Sequence, residues 1–118
     1  MPSTRSKSPA AALRDILENI GLARSFIRGL SFDEFHTDRR TVYAVVRCLE
    51  IISEASRRLP EDLKARHPQI PWTDIAGAGS IYRHDYHNVR DMFVWRTIEQ
   101  NLEPLRNAAE DELRKLIQ

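Results

Sequence analysis

Val42-Tyr43-Ala44-Val45-Val46-Arg47-Cys48-Leu49-Glu50-Ile51-Ile52-Ser53-Glu54-Ala55 repeats apolar residues every three or four positions. That spacing lines one face of an α-helix. Val42, Val45, Val46, Leu49, Ile52, Ala55 and Leu59 make up the face and predict a helix from about Arg39 to Leu59. Thr37 or Asp38 offers an N-cap, and Pro60 stops the helix. Towards the N-terminus, Leu13, Ile16, Leu17, Ile20, Ala23, Ile27 and Leu30 give a second stripe, predicting a helix over Ala10 to Leu30. Gly21 is expected to bend it, and Gly29 and Ser31 to end it. Met1 to Pro9 reads as a disordered tail, residues 10–118 as one domain, and Ser31 to Asp38 as a polar linker with one loose turn.

Towards the C-terminus, Pro60-Glu61-Asp62-Leu63-Lys64 suggests a short helix with proline at its first position, ended by His67-Pro68. Pro71-Trp72-Thr73-Asp74 opens a third main helix, expected to reach about Tyr86. Gly77 and Gly79 inside it suggest close approach of another backbone. Val94, Ile98, Leu102, Leu105, Ala109, Leu113 and Ile117 predict a last helix from about Asp91 to Ile117, bent by Pro104. No segment alternates apolar and polar residues over strand length. The reading is an all-α, up-and-down four-helix bundle with an additional short helix.

A chain of 118 residues buries a single core. The net charge of +1 excludes binding that rests on overall positive charge, though not a local basic groove. Arg39-Arg40 and Arg57-Arg58 are candidates for such a groove or ordinary solvated pairs. A single cysteine, Cys48, rules out an intramolecular disulfide, and its apolar neighbours mark it as a packed thiol. No apolar run approaches a membrane span, and a cytoplasmic protein without membrane association is expected.

The chemistry concentrates in Tyr82-Arg83-His84-Asp85-Tyr86-His87, directly behind the glycine-containing segment. On a continuous helix Arg83 and His84 would each share a face with His87, and Tyr82 with Tyr86. Histidine exchanges protons near neutral pH, and an adjacent arginine can hold a phosphate. That is sufficient for metal-free phosphodiester cleavage, the imidazole working on a ribose hydroxyl or leaving group and the guanidinium on the charge at phosphorus. The competing chemistries are a solvated helix end and a metal site of His84 and His87 with Asp85 or His36. The spacing does not match the usual helical zinc pattern, and no metal or cofactor is expected. Glu50 and Glu54 read as surface ion-pair partners, Trp72 and Trp95 as core or interface anchors. His36 and His67 receive no role.

From about Leu13 to Leu116 the chain resembles the HepT-type branch of the HEPN superfamily. The resemblance is carried by Arg47-Cys48-Leu49-Glu50-Ile51-Ile52-Ser53-Glu54-Ala55, Pro71-Trp72-Thr73-Asp74-Ile75-Ala76-Gly77, His84-Asp85-Tyr86 and Val94-Trp95. Members of that branch are small helical ribonuclease toxins paired with a minimal nucleotidyltransferase antitoxin. The resemblance implies a HEPN-like fold and the toxin of a type VII-like toxin–antitoxin system. Such a toxin is a homodimer whose facing motifs form one RNA-cleaving cleft, independent of metal. It implies a catalytic histidine at His84 and a tyrosine at Tyr86 that the partner modifies with AMP, Tyr82 being the rival acceptor. The family arginine has no counterpart here: Ala78, Gly79 and Ser80 stand where it and its following asparagine should be. Arg83 is then the catalytic candidate beside His84, with Arg90 as another source of the clamp and Arg83–His87 as another working pair. The alternative is a catalytically degenerate module that binds a nucleotidyltransferase or RNA.

Overall fold

The computed structural model describes the backbone of residues 8–84 and 87–118, and the side chains of residues 8–79 and 90–118. Seven helices and no strand occur among the described residues: α1 (Pro9–Ile27), α2 (Phe32–Thr37), α3 (Arg39–Arg57), α4 (Glu61–Ala65), α5 (Trp72–His84), α6 (His87–Gln100) and α7 (Leu102–Ile117). The expected four limbs are α1, α3, α5 and the α6–α7 pair. Helix α3 is central, packed between α1 and α5, and α7 closes against α1.

One apolar cluster draws on every helix. Leu13, Ile16 and Ile20 of α1 meet Val42, Val45, Leu49 and Ile52 of α3, Ile75 and Ala78 of α5, Val94 and Ile98 of α6, and Leu102 and Leu105 of α7. Burying each large aliphatic side chain contributes roughly 1.5–3 kcal/mol, so the stripes read from the sequence supply the main driving force. Cys48 is buried among them, and burial pushes its thiol pKa up, as befits an inert packed side chain.

Several boundaries differ from expectation. The Ser8 side chain accepts from the Ala11 amide and Pro9 opens α1, so the helix begins inside the stretch assigned to a tail. Met1 to Lys7 lie outside the described residues. Helix α1 runs unbroken through Gly21, where nothing lies within 4 Å of the space a side chain would enter. It ends at Ile27, and Gly29 adopts φ +79°, the left-handed turn that favours glycine. The presumed linker holds α2. Ser31 and Glu34 form a reciprocal capping box at its start, and Phe35 is fully buried. Asp38 caps α3 as expected, its carboxylate accepting from the Thr41 amide and hydroxyl. Pro60 is the N-cap of α4 rather than its first helical residue.

The last limb is interrupted at Asn101, not merely bent at Pro104. Proline lacks an N–H and its ring clashes with the carbonyl four residues earlier, here that of Gln100. The backbone yields at Asn101 (φ −109°, ψ −25°) and restarts as α7. The limb also begins at His87, one turn before the expected Asp91.

Candidate functional site

Helix α5 carries the expected motif as far as His84, and α3 determines how α5 sits. Its glycine-containing segment has little helix propensity, so cross-helix bonds hold it. Ser53, buried on α3, donates to the Ala76 carbonyl at 2.9 Å, and Arg57 donates to the same oxygen at 2.6 Å. The Trp72 indole N–H reaches the Lys64 and His67 carbonyls at 3.1 and 3.0 Å, tying the start of α5 to α4. No other backbone presses on Gly77, which is exposed with nothing within 4 Å of its missing side chain. The contacts made in this segment are instead those of the Ser53 and Arg57 side chains with the Ala76 carbonyl.

The backbones of Arg83 and His84 form the end of α5, and His87 opens α6. Their side chains, that of Tyr82, and all of Asp85 and Tyr86 lie outside the described residues. The faces expected for one continuous helix through Tyr86 therefore concern residues beyond the description. His36, the distant candidate ligand, is committed elsewhere, with Nδ1 2.7 Å from Asp91.

Asp91, one turn into α6, anchors the best-defined charged cluster in this part of the protein. Its side chain is fully buried. His36 and Arg39 Nη1 reach Oδ2 at 2.7 and 2.9 Å, and Arg90 Nε reaches Oδ1 at 3.2 Å. Burial alone would raise the Asp91 pKa. The hydrogen bonds from Arg39, His36 and Arg90 outweigh it and hold the carboxyl below its usual range. An ionised carboxylate accepts only, so the His36 proton sits on Nδ1. The His36 ring stacks on Phe32 at 5.4 Å, and Phe32 and Phe35 pack against Trp95. Helix α2 is thereby fixed onto α6. Arg39 and Arg90 both lie beside the Tyr43 ring, at 5.5 and 5.7 Å from its centroid, and Tyr43 is 57% exposed.

The other candidate groups resolve into structure. Arg58 bonds Asp15 at 2.7 Å and pairs with Glu54, and Arg47 pairs with Glu50. Glu112, almost fully buried on α7, receives Arg66 through two nitrogens and His67 Nε2 at 2.6 Å. Its pKa falls to about 2, chiefly through Arg66, with His67 assisting against the opposing effect of burial. His67, Asp111 and Glu112 are close enough to share an ion. The Arg66 guanidinium already occupies both Glu112 oxygens, which makes the group a poor cation site. A cavity of about 420 Å³ between α3, α5, α6 and α7 is lined largely by apolar side chains, among them Leu49, Ile52, Ile75, Ala78 and Phe93. Among the described residues no helix is long and apolar enough to cross a membrane.

Comparison with known proteins adds a lineage to this geometry. A family model described as "Ribonuclease HepT-like" matches residues 16–112. The chain is 40% identical over 103 residues to a protein of Thermococcus cleftensis designated a probable ribonuclease HepT, covering 87% of this chain and 93% of that one. It is 34% identical over 100 residues to a candidate RNase of Methanocaldococcus jannaschii, covering 85% and 83% of the two chains. A candidate RNase of Caldanaerobacter subterraneus subsp. tengcongensis is 33% identical over 109 residues, covering 92% and 97%. No solved structure matches the chain significantly.

Proposed function

We infer that this chain, which belongs to the ribonuclease HepT-like family and is by that membership an RNA-cleaving hydrolase, cuts RNA through His84 in a cleft between two copies of itself. The observation that carries this reading is the family match over residues 16–112, which includes the His84-Asp85-Tyr86 segment. In the proposed reaction a ribose 2′-oxygen attacks the adjacent phosphorus and the bond to the 5′-oxygen breaks. The products are a 2′,3′-cyclic phosphate and a 5′-hydroxyl. His84 moves a proton at the attacking or departing oxygen, and Arg83 stabilises the charge on phosphorus, with His87 as the second candidate imidazole. No metal ion is required by this scheme.

Regulation follows from Tyr86. A nucleotidyltransferase antitoxin transfers AMP from ATP to the phenol oxygen, pyrophosphate leaving. The added phosphodiester places negative charge and bulk where substrate phosphate would bind. The chain is then the toxin of a cytoplasmic toxin–antitoxin pair.

The test is RNA degradation by purified protein in chelator, compared with His84→Ala. Cleavage that persists in chelator and disappears in the variant is expected. Full activity of His84→Ala would remove His84 from the mechanism. A second reading, a degenerate module that binds RNA or a nucleotidyltransferase without cutting, is favoured by one feature: Ala78, Gly79 and Ser80 stand where the resemblance calls for arginine and its following asparagine. RNA binding without cleavage by the unmodified protein would select it.

A further inference from the structure

We propose that Arg39 and Arg90 form a phosphodiester-binding site on the α3–α6 flank of the motif, holding the RNA backbone beside the cleavage centre. The inference rests on the ribonuclease reading for its substrate, and on its own geometry for the site.

The first argument is unsatisfied donors. Arg39 gives Nη1 and Arg90 gives Nε to opposite oxygens of Asp91. Each guanidinium retains a buried Nη2 with no hydrogen-bond partner among the described residues. The Arg90 side chain is itself nine-tenths buried, at 10% exposure. A buried charged donor without an acceptor is costly, and such groups are rare unless a ligand completes them. Phosphate oxygens are the acceptors that match a guanidinium edge in charge and shape.

Charge gives the second argument. Two guanidiniums share one carboxylate, so one positive charge is left over even with His36 neutral. Among the described residues neither arginine forms an ion pair with any other carboxylate: Asp38 turns to Thr41 and Arg40, and Glu50 to Arg47. Asp91 thus acts as a positioning residue, fixing both guanidiniums while cancelling only one of them.

Location is the third. Arg90 stands one helical turn after His87 at the start of α6, so the site adjoins the motif along the backbone. Its outer wall is Tyr43, an exposed ring within 6 Å of both guanidinium carbons. On this proposal an RNA strand reaches the two guanidiniums by displacing that exposed side chain. The single-residue remedy suggested by the sequence, Arg90 replacing the family arginine, becomes a two-arginine clamp held by Asp91.

The experiment measures binding of a 2′-O-methyl oligoribonucleotide, which cannot be cleaved, to the full chain across a salt series. Arg90→Gln and Arg39→Gln are each expected to weaken binding by about ten- to thirtyfold and to lower the salt slope by about one. Arg90→Lys, which keeps the charge, should recover most of the slope. With cleavable RNA the same losses should appear in KM more than in kcat. Wild-type affinity and slope in both glutamine variants would overturn the clamp, as would lost thermal stability with unchanged binding. Because the probe is not cut, a chain that binds through these arginines but leaves RNA intact would sink the nuclease reading and leave the clamp standing. RNA cleavage indifferent to both substitutions would do the reverse.

Discussion

Arg66 grips Glu112 through two nitrogens, at 3.1 and 2.8 Å, although 46 residues separate them in sequence. The pair fastens the end of α4 to the middle of α7, and His67 joins from the same side. The carboxylate is nearly inaccessible, so its charge depends on those two partners.

This lock sets an acid limit on stability. The Glu112 pKa in the fold is about 2, against an ordinary value of 4.5. A depressed carboxyl pKa contributes stability that is fully present above pH 4.5 and is lost as pH falls towards 2. The contribution is at most about 3 kcal/mol. Denaturant unfolding in this window should show a steep fall for the wild type, and Glu112→Gln should flatten it while lowering stability at pH 7.

Asp91→Asn should cost about 3–5 kcal/mol, because it leaves two guanidiniums facing a buried neutral group. Chemical denaturation reads this directly. A variant as stable as wild type would mean the cluster does not hold α2 and α3 to α6.

Gly21→Ala should raise stability by about 0.5–1 kcal/mol. The position is exposed, mid-helix and open to a methyl group. A thermal melt checks it, and a decrease would contradict the unbroken course of α1.

Phe35→Ala should cost about 3–5 kcal/mol, the usual loss for a fully buried aromatic ring. Equilibrium unfolding tests whether α2 is part of the core or an ornament on its surface.

On the proposed regulation, co-expression with a minimal nucleotidyltransferase should add the mass of AMP at Tyr86. Intact mass followed by peptide mapping locates it. Modification at Tyr82 alone would move the regulatory position by one turn.

The amphipathic limbs were legible because apolar spacing is a local property, and Val42 to Leu59 or Leu13 to Ile20 state it without outside help. Helix α2 reads as no more than a loose turn because its composition is polar apart from Phe32 and Phe35, yet the Ser31 and Glu34 spacing of a capping box is legible there. His36 and His67 could not be assigned from sequence, since their carboxylates lie 55 and 45 residues away. Long-range ion pairs leave no periodic trace. The break at Asn101 displaces the effect of Pro104 by three residues, because the clash falls on the preceding turn. For the site, the residues themselves suggested histidine and arginine chemistry, and only family resemblance gave His84 and Tyr86 distinct tasks. The anchoring of Arg90 by Asp91 needed three dimensions.

The doubly occupied Ala76 carbonyl has a consequence for engineering. The segment that bears His84 takes its orientation from Ser53 and Arg57 on a neighbouring helix. Grafting that segment alone onto another scaffold would strand it without its tether. A transplant that hopes to keep the imidazole in register must bring both elements together, as one inseparable cassette.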